Sequence, residues 1–260
     1  MKTAVIVQAR YGSTRLPGKA LLPLGHGTVL AQVLARCAAI PGVDAVVCAC
    51  PDTADSDPVA EEAARCGAQV SRGAETDVLS RYAKAARAVG ADIVMRITSD
   101  CPFIDPLVCG KLLALLAERG AQYASLDMPA SWPHGLDCEA FPARLLYDAE
   151  QNAHAPHERE HVTPWIRARA APKATLTGPG APFTAMRWTL DWPEDYQFLS
   201  AITEALAERA IFASAAEVAS LCLRRPDFVA INAARCDQSR LASPLRAEIA
   251  TAPIGFPLAA

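Results

Sequence analysis

Short apolar runs alternate with longer amphipathic stretches along the first 120 residues of the chain. The apolar runs have the length and composition of buried strands, at Ala4–Ala9, Ala45–Ala49, Gln69–Ser71 and Asp92–Thr98. Apolar residues at helical spacing fill the intervals, at Leu30–Ala39, Pro58–Cys66, Asp77–Val89 and Pro106–Arg119. Because strands and helices alternate one by one, the pattern predicts an α/β fold with a mainly parallel central sheet and helices on both faces.

After Gly120 the elements become shorter and their spacing less regular. Further strands are predicted at Gln122–Leu126, Leu136–Phe141, Ala174–Thr177 and Met186–Leu190. Further helices are predicted at Pro142–Asn152, His157–Ala170 and Pro193–Glu208. We interpret residues 120–183 as a small β/α insertion within one domain that spans residues 1–231. Residues 232–260 are weakly patterned, and we expect an irregular C-terminal tail.

Composition and net charge exclude several classes of protein. No apolar run reaches the roughly 18 residues of a membrane span, and the first apolar run predicts a strand rather than a signal peptide. The nine cysteines lack the spacing of a disulfide framework, which is typical of small buried residues in a reducing cytoplasm. With a formal net charge of −3, we expect no nucleic-acid partner.

Charge is unevenly distributed along the chain. No aspartate or glutamate precedes Asp44, although the chain has 28 acidic residues in all. The same stretch carries several cations, namely Lys2, Arg10, Arg15, Lys19 and Arg36. A long segment with cations and no carboxylate predicts a local site for a polyanion.

The segment Gln8–Lys19 directly follows the first predicted strand. The carboxyl ends of strands are where open α/β sheets bind ligands. Three cations, the hydroxyls of Ser13 and Thr14, and the small Gly12 and Gly18 suit close approach to a triphosphate. The P-loop signature is absent, and a solvated basic turn is the alternative explanation.

This segment also resembles the signature loop of the cytidylyltransferases that activate sugar acids, such as the CMP-Kdo and CMP-sialate synthetases. Five further segments resemble, in order, a closer group that is named for spore-coat polysaccharide biosynthesis. They are Arg72–Tyr82, Ile97–Pro106, Gly135–Phe141, His157–Pro164 and Arg187–Tyr196. Each segment alone is a weak signal, whereas six in order are specific.

The resemblance implies a Rossmann-like, GT-A-type nucleotide-diphospho-sugar transferase fold. It implies Mg²⁺-dependent transfer of CMP from CTP to a sugar acid or related acidic acceptor, with release of pyrophosphate. Arg10, Arg15 and Lys19 are the implied catalytic residues, which stabilise the triphosphate. The implied nucleotide-binding residues are Gln8, Ala9, Gly12, Ser13, Arg72, Gly73 and Asp77. A homodimer with its contact in residues 120–183 is also expected from the family.

Asp100 and Asp191 each follow a predicted strand. Two carboxylates at neighbouring strand ends can hold Mg²⁺, a hard cation that takes oxygen ligands and bridges phosphates, and the resembling enzymes have metal-binding aspartates at such positions. The alternative to metal binding is a helix N-cap for Asp191 and a turn residue for Asp100. Asp105, directly before Pro106, is expected to be a cap. Asp77 can equally cap its helix.

The segment His157–His161 fits H-E-x-x-H, the zinc-protease motif. Pro156 and Pro164 leave barely two turns of helix, so we favour a polar helix that contacts the acceptor, with a solvated or interface helix as the alternative. The expected acceptor-binding residues are Asp137, Glu139, Arg159, Glu160 and His161. An exposed strand face explains Asp137 and Glu139 equally well.

Two other classes of function stay open at this point. A glycosyltransferase on the same type of sheet would use a nucleotide sugar, but such enzymes typically carry a D-x-D motif and Ser99-Asp100-Cys101 offers one aspartate. A non-catalytic nucleotide-binding protein is the other alternative. Release of pyrophosphate from CTP separates all three.

Overall fold

The computed structural model describes residues 1–127, 129–240 and 250–253. Its strands are β1 Thr3–Gln8, β2 Pro23–Leu24, β3 Gly27–Thr28, β4 Ala45–Pro51, β5 Gln69–Gly73, β6 Ile93–Thr98, β7 Tyr123–Leu126, β8 Glu139–Pro142, β9 Lys173–Thr177 and β10 Ala250–Pro253. Its helices are α1 Val29–Ala38, α2 Asp57–Arg65, α3 Val78–Val89, α4 Pro106–Glu118, α5 Ala143–Asn152, α6 Pro156–His161, α7 Pro164–Arg169, α8 Pro193–Leu206, α9 Ala215–Arg224 and α10 Pro226–Asn232.

Eight of the strands form one sheet in the order β10-β9-β7-β8-β6-β1-β4-β5. β1 lies at its centre and pairs in parallel with β4 and β6. Only β8 runs antiparallel to its neighbours β6 and β7, and β2 and β3 form a separate hairpin. The predicted mainly parallel sheet is therefore confirmed.

The alternation of side chains along β1 explains why helices cover both faces of the sheet. Val5 and Val7 belong to one buried cluster, with residues of α1, α4, α8 and α9. Ala4 and Ile6 belong to a second cluster, with residues of α3, α5 and α7. A strand that is apolar on both faces must be covered on both. Seven of the nine cysteines are buried in these layers and all nine are free thiols, as predicted.

Two helix starts confirm predicted caps. The Asp77 carboxylate accepts a hydrogen bond from the Ser80 amide at 3.0 Å and begins α3. The Asp105 carboxylate accepts from the amides of Leu107 and Val108 at 2.8 and 3.0 Å and begins α4. Each satisfies a backbone donor that has no partner within the helix.

The prediction of a strand at Met186–Leu190 is wrong. This segment is extended, but its partner is a loop, and it forms only an isolated bridge between Arg187 and His134. Gly135, at φ +112°, packs so closely that a Cβ atom would lie 2.6 Å from the Thr189 nitrogen. The same loop shortens the predicted strand Leu136–Phe141 to β8. The predicted helix His157–Ala170 is divided into α6 and α7 at Val162, which has φ +69°.

The C-terminal region contains more structure than expected. Residues 233–235 and 238–240 form short 3₁₀ turns, and β10 adds a parallel strand beside β9. The rest of the predicted tail, residues 241–249 and 254–260, lies outside the described residues. Among the described helices, none has both the length and the apolar character needed to cross a membrane.

Candidate active site

The loop between β1 and Lys19 turns sharply at Gly18, which has φ +67°. A side chain is strained in this conformation, and a Cβ atom would meet the Tyr11 ring at 3.3 Å. The Gly18 amide donates to the Tyr11 carbonyl at 3.1 Å, which closes the turn. Gly18 is buried, so it shapes the loop and presents Lys19. The sequence instead predicts that Gly18 approaches a ligand closely.

Lys19 lies between the two predicted metal ligands. Its Nζ atom donates to Asp100 Oδ2 at 3.0 Å, to Asp191 Oδ1 at 2.7 Å and to the Leu190 carbonyl at 2.7 Å. Arg15 approaches the same Asp191 oxygen at 3.1 Å. The sequence prediction that Asp100 and Asp191 lie together at one edge of the sheet agrees with these contacts.

Asp100 lies two residues after the end of β6, and the Thr98 hydroxyl donates to its Oδ1 atom at 2.5 Å. The extended segment that leads to Asp191 is hydrogen-bonded to Asp100 itself. The Leu190 amide and the Thr189 hydroxyl donate to the Asp100 carbonyl at 2.8 and 3.1 Å. These two hydrogen bonds to the Asp100 carbonyl therefore fix the two carboxylates relative to each other.

Asp191 is not the cap of α8. The N-cap residue is Trp192, and Asp195 in the first turn reaches back to it, since its Oδ2 atom accepts from the amides of Asp191 and Trp192 at 2.9 and 3.0 Å. Asp195 is fully buried and pairs with Arg187 through both of its oxygens, at 2.8 and 2.9 Å. Arg187 also reaches Asp191 Oδ2 at 3.4 Å. The Asp191 carboxylate is thus left facing the site.

Mutual charge determines the ionisation of this cluster. Burial acts to raise the pKa of Asp191, but the charges of Lys19 and Arg15 outweigh it and lower that pKa to about 2. Burial also opposes ionisation of Asp100, and again Lys19, with the Thr98 hydrogen bond, lowers its pKa. Burial acts to lower the pKa of Lys19, while Asp100 and Asp191 raise it above its usual value. All three groups are therefore charged at neutral pH.

A first cavity, of about 290 Å³, opens on one side of the two aspartates, and we call it the basic cavity. It is lined by Gln8, Ala9, Arg10, Ser13, Thr14, Arg15, Lys19, Val78, Arg81, Thr98, Ser99, Asp100, Glu160, His161 and Asp191. Most predicted residues of the loop after β1 are among them. Their three cations, Arg10, Arg15 and Lys19, match a polyphosphate in charge and number.

A second, larger cavity, of about 870 Å³, opens on the other side, and we call it the polar cavity. It is lined by Arg96, Thr98, Asp100, Cys101, Tyr123, Ser125, Leu126, Asp127, His134, Asp137, Cys138, Glu139, His161, Thr163, Arg167, Thr189, Asp191, Asp237, Ser239 and Arg240. The two cavities share Thr98, Asp100, His161 and Asp191. A group bound in one can therefore meet a group bound in the other at the paired carboxylates.

Four predicted nucleotide-binding residues do not line the basic cavity, namely Gly12, Arg72, Gly73 and Asp77. The Arg72 guanidinium is bound to Asp57 Oδ1 at 2.5 Å and to the Thr53 carbonyl at 2.8 Å, which turns it towards the β4–α2 connection. Asp77 is engaged by its own helix and by Arg159. The residues of α3 that do line the basic cavity are Val78 and Arg81.

The predicted acceptor-binding residues are divided between the two cavities. Asp137, Glu139 and His161 line the polar cavity, whereas Glu160 lines the basic cavity. Arg159 lines neither, because its guanidinium binds Asp77 and the Glu150 carbonyl. The Glu139 carboxylate already accepts hydrogen bonds from Tyr123, Arg96 and Thr163. This network fixes the floor of the polar cavity.

Several residues of the site were assigned no role from the sequence. Thr98, Arg187 and Asp195 lie inside the recognised segments and orient the two aspartates through hydrogen bonds. Arg167 lies outside those segments and lines the polar cavity. Thr98 and Asp195 carry a usable signal, since a hydroxyl two residues before Asp100 and a carboxylate in the first turn of α8 both favour local hydrogen bonds.

The mainly parallel sheet, the basic loop after its central strand and the paired carboxylates at the same edge define a nucleotidyltransferase of the nucleotide-diphospho-sugar transferase fold. A solved cytidylyltransferase structure from Leptospira borgpetersenii is similar, with a TM-score of 0.80 and 28% identity over 88% of this chain and 97% of that one. The sequence model described as cytidylyltransferase matches residues 4–218, and the chain belongs to this family.

Two named relatives agree with the resemblance of the six segments. The spore coat polysaccharide biosynthesis protein SpsF of Bacillus subtilis is 34% identical over 231 residues, which are 85% of this chain and 94% of that protein. The 3-deoxy-manno-octulosonate cytidylyltransferase of Anaeromyxobacter dehalogenans is 34% identical over 129 residues, which are 48% of this chain and 51% of that enzyme. The predicted family, fold and enzyme class are confirmed.

Proposed function

We propose that this chain transfers CMP from CTP to a sugar acid or related acidic acceptor and releases pyrophosphate in a Mg²⁺-dependent reaction. The observation that carries the proposal is the junction of the two cavities at Asp100 and Asp191. A triphosphate suits the basic cavity and a hydroxylated acceptor suits the polar cavity. The reacting atoms would then meet beside the paired carboxylates.

The chemistry is an in-line attack of an acceptor oxygen on the α-phosphorus of CTP. The bond between the α-phosphorus and the oxygen that bridges to the β-phosphate breaks, and pyrophosphate leaves. Arg10, Arg15 and Lys19 stabilise the triphosphate and the charge that develops on the leaving group. Such catalysis consists mainly of positioning and electrostatic stabilisation, so it needs no nucleophilic side chain.

The donor set fits a magnesium ion. Asp100 and Asp191 are ionised oxygen ligands that face both cavities, and Mg²⁺ is usually held by one or two carboxylates together with waters and substrate phosphates. When bound there, Mg²⁺ would shield the charge of the α-phosphate.

An acidic acceptor is supported by Arg167 on α7. Arg167 is exposed, lines the polar cavity and forms none of the ion pairs found among the described residues. Arg96 and Arg240, the other arginines of this cavity, are paired with Glu139 and Asp137. Arg167 is therefore the cation that can bind an acceptor carboxylate without first losing a partner.

CTP as the donor and a role in polysaccharide biosynthesis follow from the family and from the name of the SpsF relative. A CMP-activated acid is a suitable donor for the assembly of such a polymer. We place the reaction in the cytoplasm, where CTP and reduced thiols coexist, and the nine free cysteines are consistent with that compartment.

The experiment that tests the function is a screen for pyrophosphate release with four nucleoside triphosphates and a panel of acidic sugars. We expect release only with CTP, only in the presence of Mg²⁺, and only with a matching acceptor. A glycosyltransferase would release no pyrophosphate, and a nucleotide sensor would bind CTP without turnover. Equal release with all four triphosphates would also contradict the proposal.

Arg15→Ala is the first variant for this assay. With CTP and Mg²⁺ saturating, we expect kcat to fall about 10²–10³-fold, by analogy with the loss of one preorganised donor to a developing anion. Arg209→Ala is the matched control, because Arg209 is an exposed arginine with only a weak surface contact to Glu217. Full activity of Arg15→Ala would count against the proposed role of the basic cavity.

A further inference from the structure

The C-terminal residues that follow α10 return to the polar cavity. Asp237, Ser239 and Arg240 are among its lining residues. The family sequence model ends at residue 218, so this part of the wall lies outside the pattern that the family shares. One wall of the polar cavity is thus built by residues that follow the part of the chain matched by the family model.

The upstream end of this segment is attached to the residues that orient Asp191. Asn232 is buried, and its amide donates to the Arg187 carbonyl at 2.9 Å and to Asp195 Oδ1 at 3.0 Å. Arg235 packs over the Trp192 ring at 4.1 Å and pairs with Glu194 at 2.9 Å. The path of the chain after α10 is therefore fixed against the active site.

The downstream end is attached to the insertion. The Arg240 guanidinium donates to Asp137 Oδ1 at 2.7 Å. The backbone carbonyl of Arg240 accepts from the Ala130 amide at 2.9 Å. The Arg240 side chain is only 18% exposed. Between the two ends, the Asp237 carboxylate accepts from the Ser239 amide and hydroxyl at 2.9 and 2.7 Å, which holds a tight turn.

We propose that residues 237–240 form the acceptor-selecting wall of the polar cavity, and that Arg240 positions this wall through its ion pair with Asp137. The inference rests on the proposed transfer to an acidic acceptor. A sugar acid presents hydroxyls and a carboxylate, and the residues of this wall carry a carboxylate, a hydroxyl and a guanidinium. Arg240 also sets the orientation of Asp137, whose Oδ2 atom accepts from the Gly135 amide at 3.0 Å.

Arg240→Ala separates selection of the acceptor from catalysis. With the acceptor found in the screen, we expect the acceptor KM to rise about tenfold, while kcat and the KM for CTP stay within about twofold. Arg240→Lys keeps the charge but has a single-point ammonium in place of the planar fork, and we expect an intermediate acceptor KM. The ratio of kcat/KM between two different acceptors should also change in Arg240→Ala.

Arg225→Ala is the control for a lost surface ion pair on the same part of the chain. Arg225 pairs with Asp227 at 2.6 Å, and both side chains are about half exposed. Neither lines the polar cavity. We expect wild-type kinetic constants and an unfolding temperature close to that of the wild type.

Two failures can be told apart. Wild-type enzyme that releases no pyrophosphate with any acceptor overturns the proposed function, and this inference with it. Active wild-type enzyme together with an unchanged acceptor KM in Arg240→Ala overturns the inference alone. A parallel rise in the KM values for CTP and acceptor also overturns it, because the ion pair would then support the general fold rather than the acceptor wall.

Discussion

At the scale of single residues, the Nζ atom of Lys19 occupies the position between Asp100 and Asp191 where a divalent cation would bind. Its three hydrogen bonds neutralise two carboxylates that would otherwise repel each other. In the proposed reaction, the triphosphate and Mg²⁺ would replace these contacts. The same attraction that organises the site also stabilises the folded chain.

Asp191→Asn tests this stabilisation through its dependence on pH. The pKa of Asp191 is lowered from 3.8 to about 2 in the folded protein, so its ionised form stabilises the fold above pH 4. That contribution is about 2 kcal/mol, and it is lost as the pH falls through 2. Urea unfolding should show Asp191→Asn to be less stable than the wild type by this amount at pH 7, with the difference closing towards pH 2.

Asp52→Asn is the control for this series, because the Asp52 side chain is 72% exposed. We expect its stability to follow that of the wild type at every pH. A difference between Asp191→Asn and wild type that stays constant from pH 7 to pH 2 would contradict the ionic origin of the effect.

At the scale of elements, the start of α8 joins the helix to the active site. Asp195 is in the first turn, and its carboxylate accepts from the Asp191 and Trp192 amides while it pairs with Arg187. Asn232 of α10 completes the network. One buried carboxylate thus connects two helices and the extended segment that presents Asp191.

Asp195→Ala removes the centre of this network. Because Arg187 would remain buried without its partner, we expect a loss of about 3–5 kcal/mol in the free energy of unfolding. We also expect kcat to fall, although Asp195 lines neither cavity, because Asp191 loses its support. Glu194→Ala, next in sequence, removes a partly exposed ion pair with Arg235 and should lower the free energy of unfolding far less, because solvent screens such a pair. Equal losses in the two variants would contradict this account.

The central strands, two helix starts and the position of Asp100 were predictable because each depends on a short stretch of neighbouring sequence. β1, β4 and β6 are apolar on both faces, and Asp77 and Asp105 stand directly before helical periodicity. The position of Asp100 followed in the same way, since it lies two residues after the end of β6. In each case the sequence neighbours of a residue are also the neighbours that determine its conformation.

Contacts between distant segments were not predictable from such signals. Met186–Leu190 has the alternation of a strand, but its partner is the loop around Gly135, so the ladder ends after one bridge. Arg72 directly follows the predicted strand Gln69–Ser71 and was expected to bind the nucleotide. Its guanidinium instead binds Asp57, which lies 15 residues earlier in the chain. The same limit applies to Arg240, whose partner Asp137 is 103 residues away in the chain.

At the scale of the whole molecule, the basic cavity is lined mainly by β1, the loop after it and the end of β6, whereas more than half of the lining of the polar cavity comes from residues 120–183. The family resemblance leads us to propose a homodimer with its contact in this insertion. Among the described residues, the insertion contributes Asp137, Glu139, Thr163 and Arg167 to the polar cavity. Association through it would therefore act on the acceptor side.

Sedimentation equilibrium tests the homodimer directly. We expect twice the chain mass of 27.6 kDa at micromolar concentrations, and the same result with and without CTP. A single-chain mass over the whole concentration range would contradict the proposal. The measurement is independent of activity, so it does not depend on the identity of the acceptor.

The shared wall of the two cavities has a consequence for the design of inhibitors. Thr98, Asp100, His161 and Asp191 belong to both cavities, so a nucleotide in one and an acceptor in the other would contact the same four residues. One molecule that joins a cytidine phosphate to an acceptor-like acid through a linkage that cannot react would occupy both. Tethering two weak binders in this way can raise the affinity about 10²–10⁴-fold. Its acceptor half would meet the C-terminal wall formed by Asp237, Ser239 and Arg240.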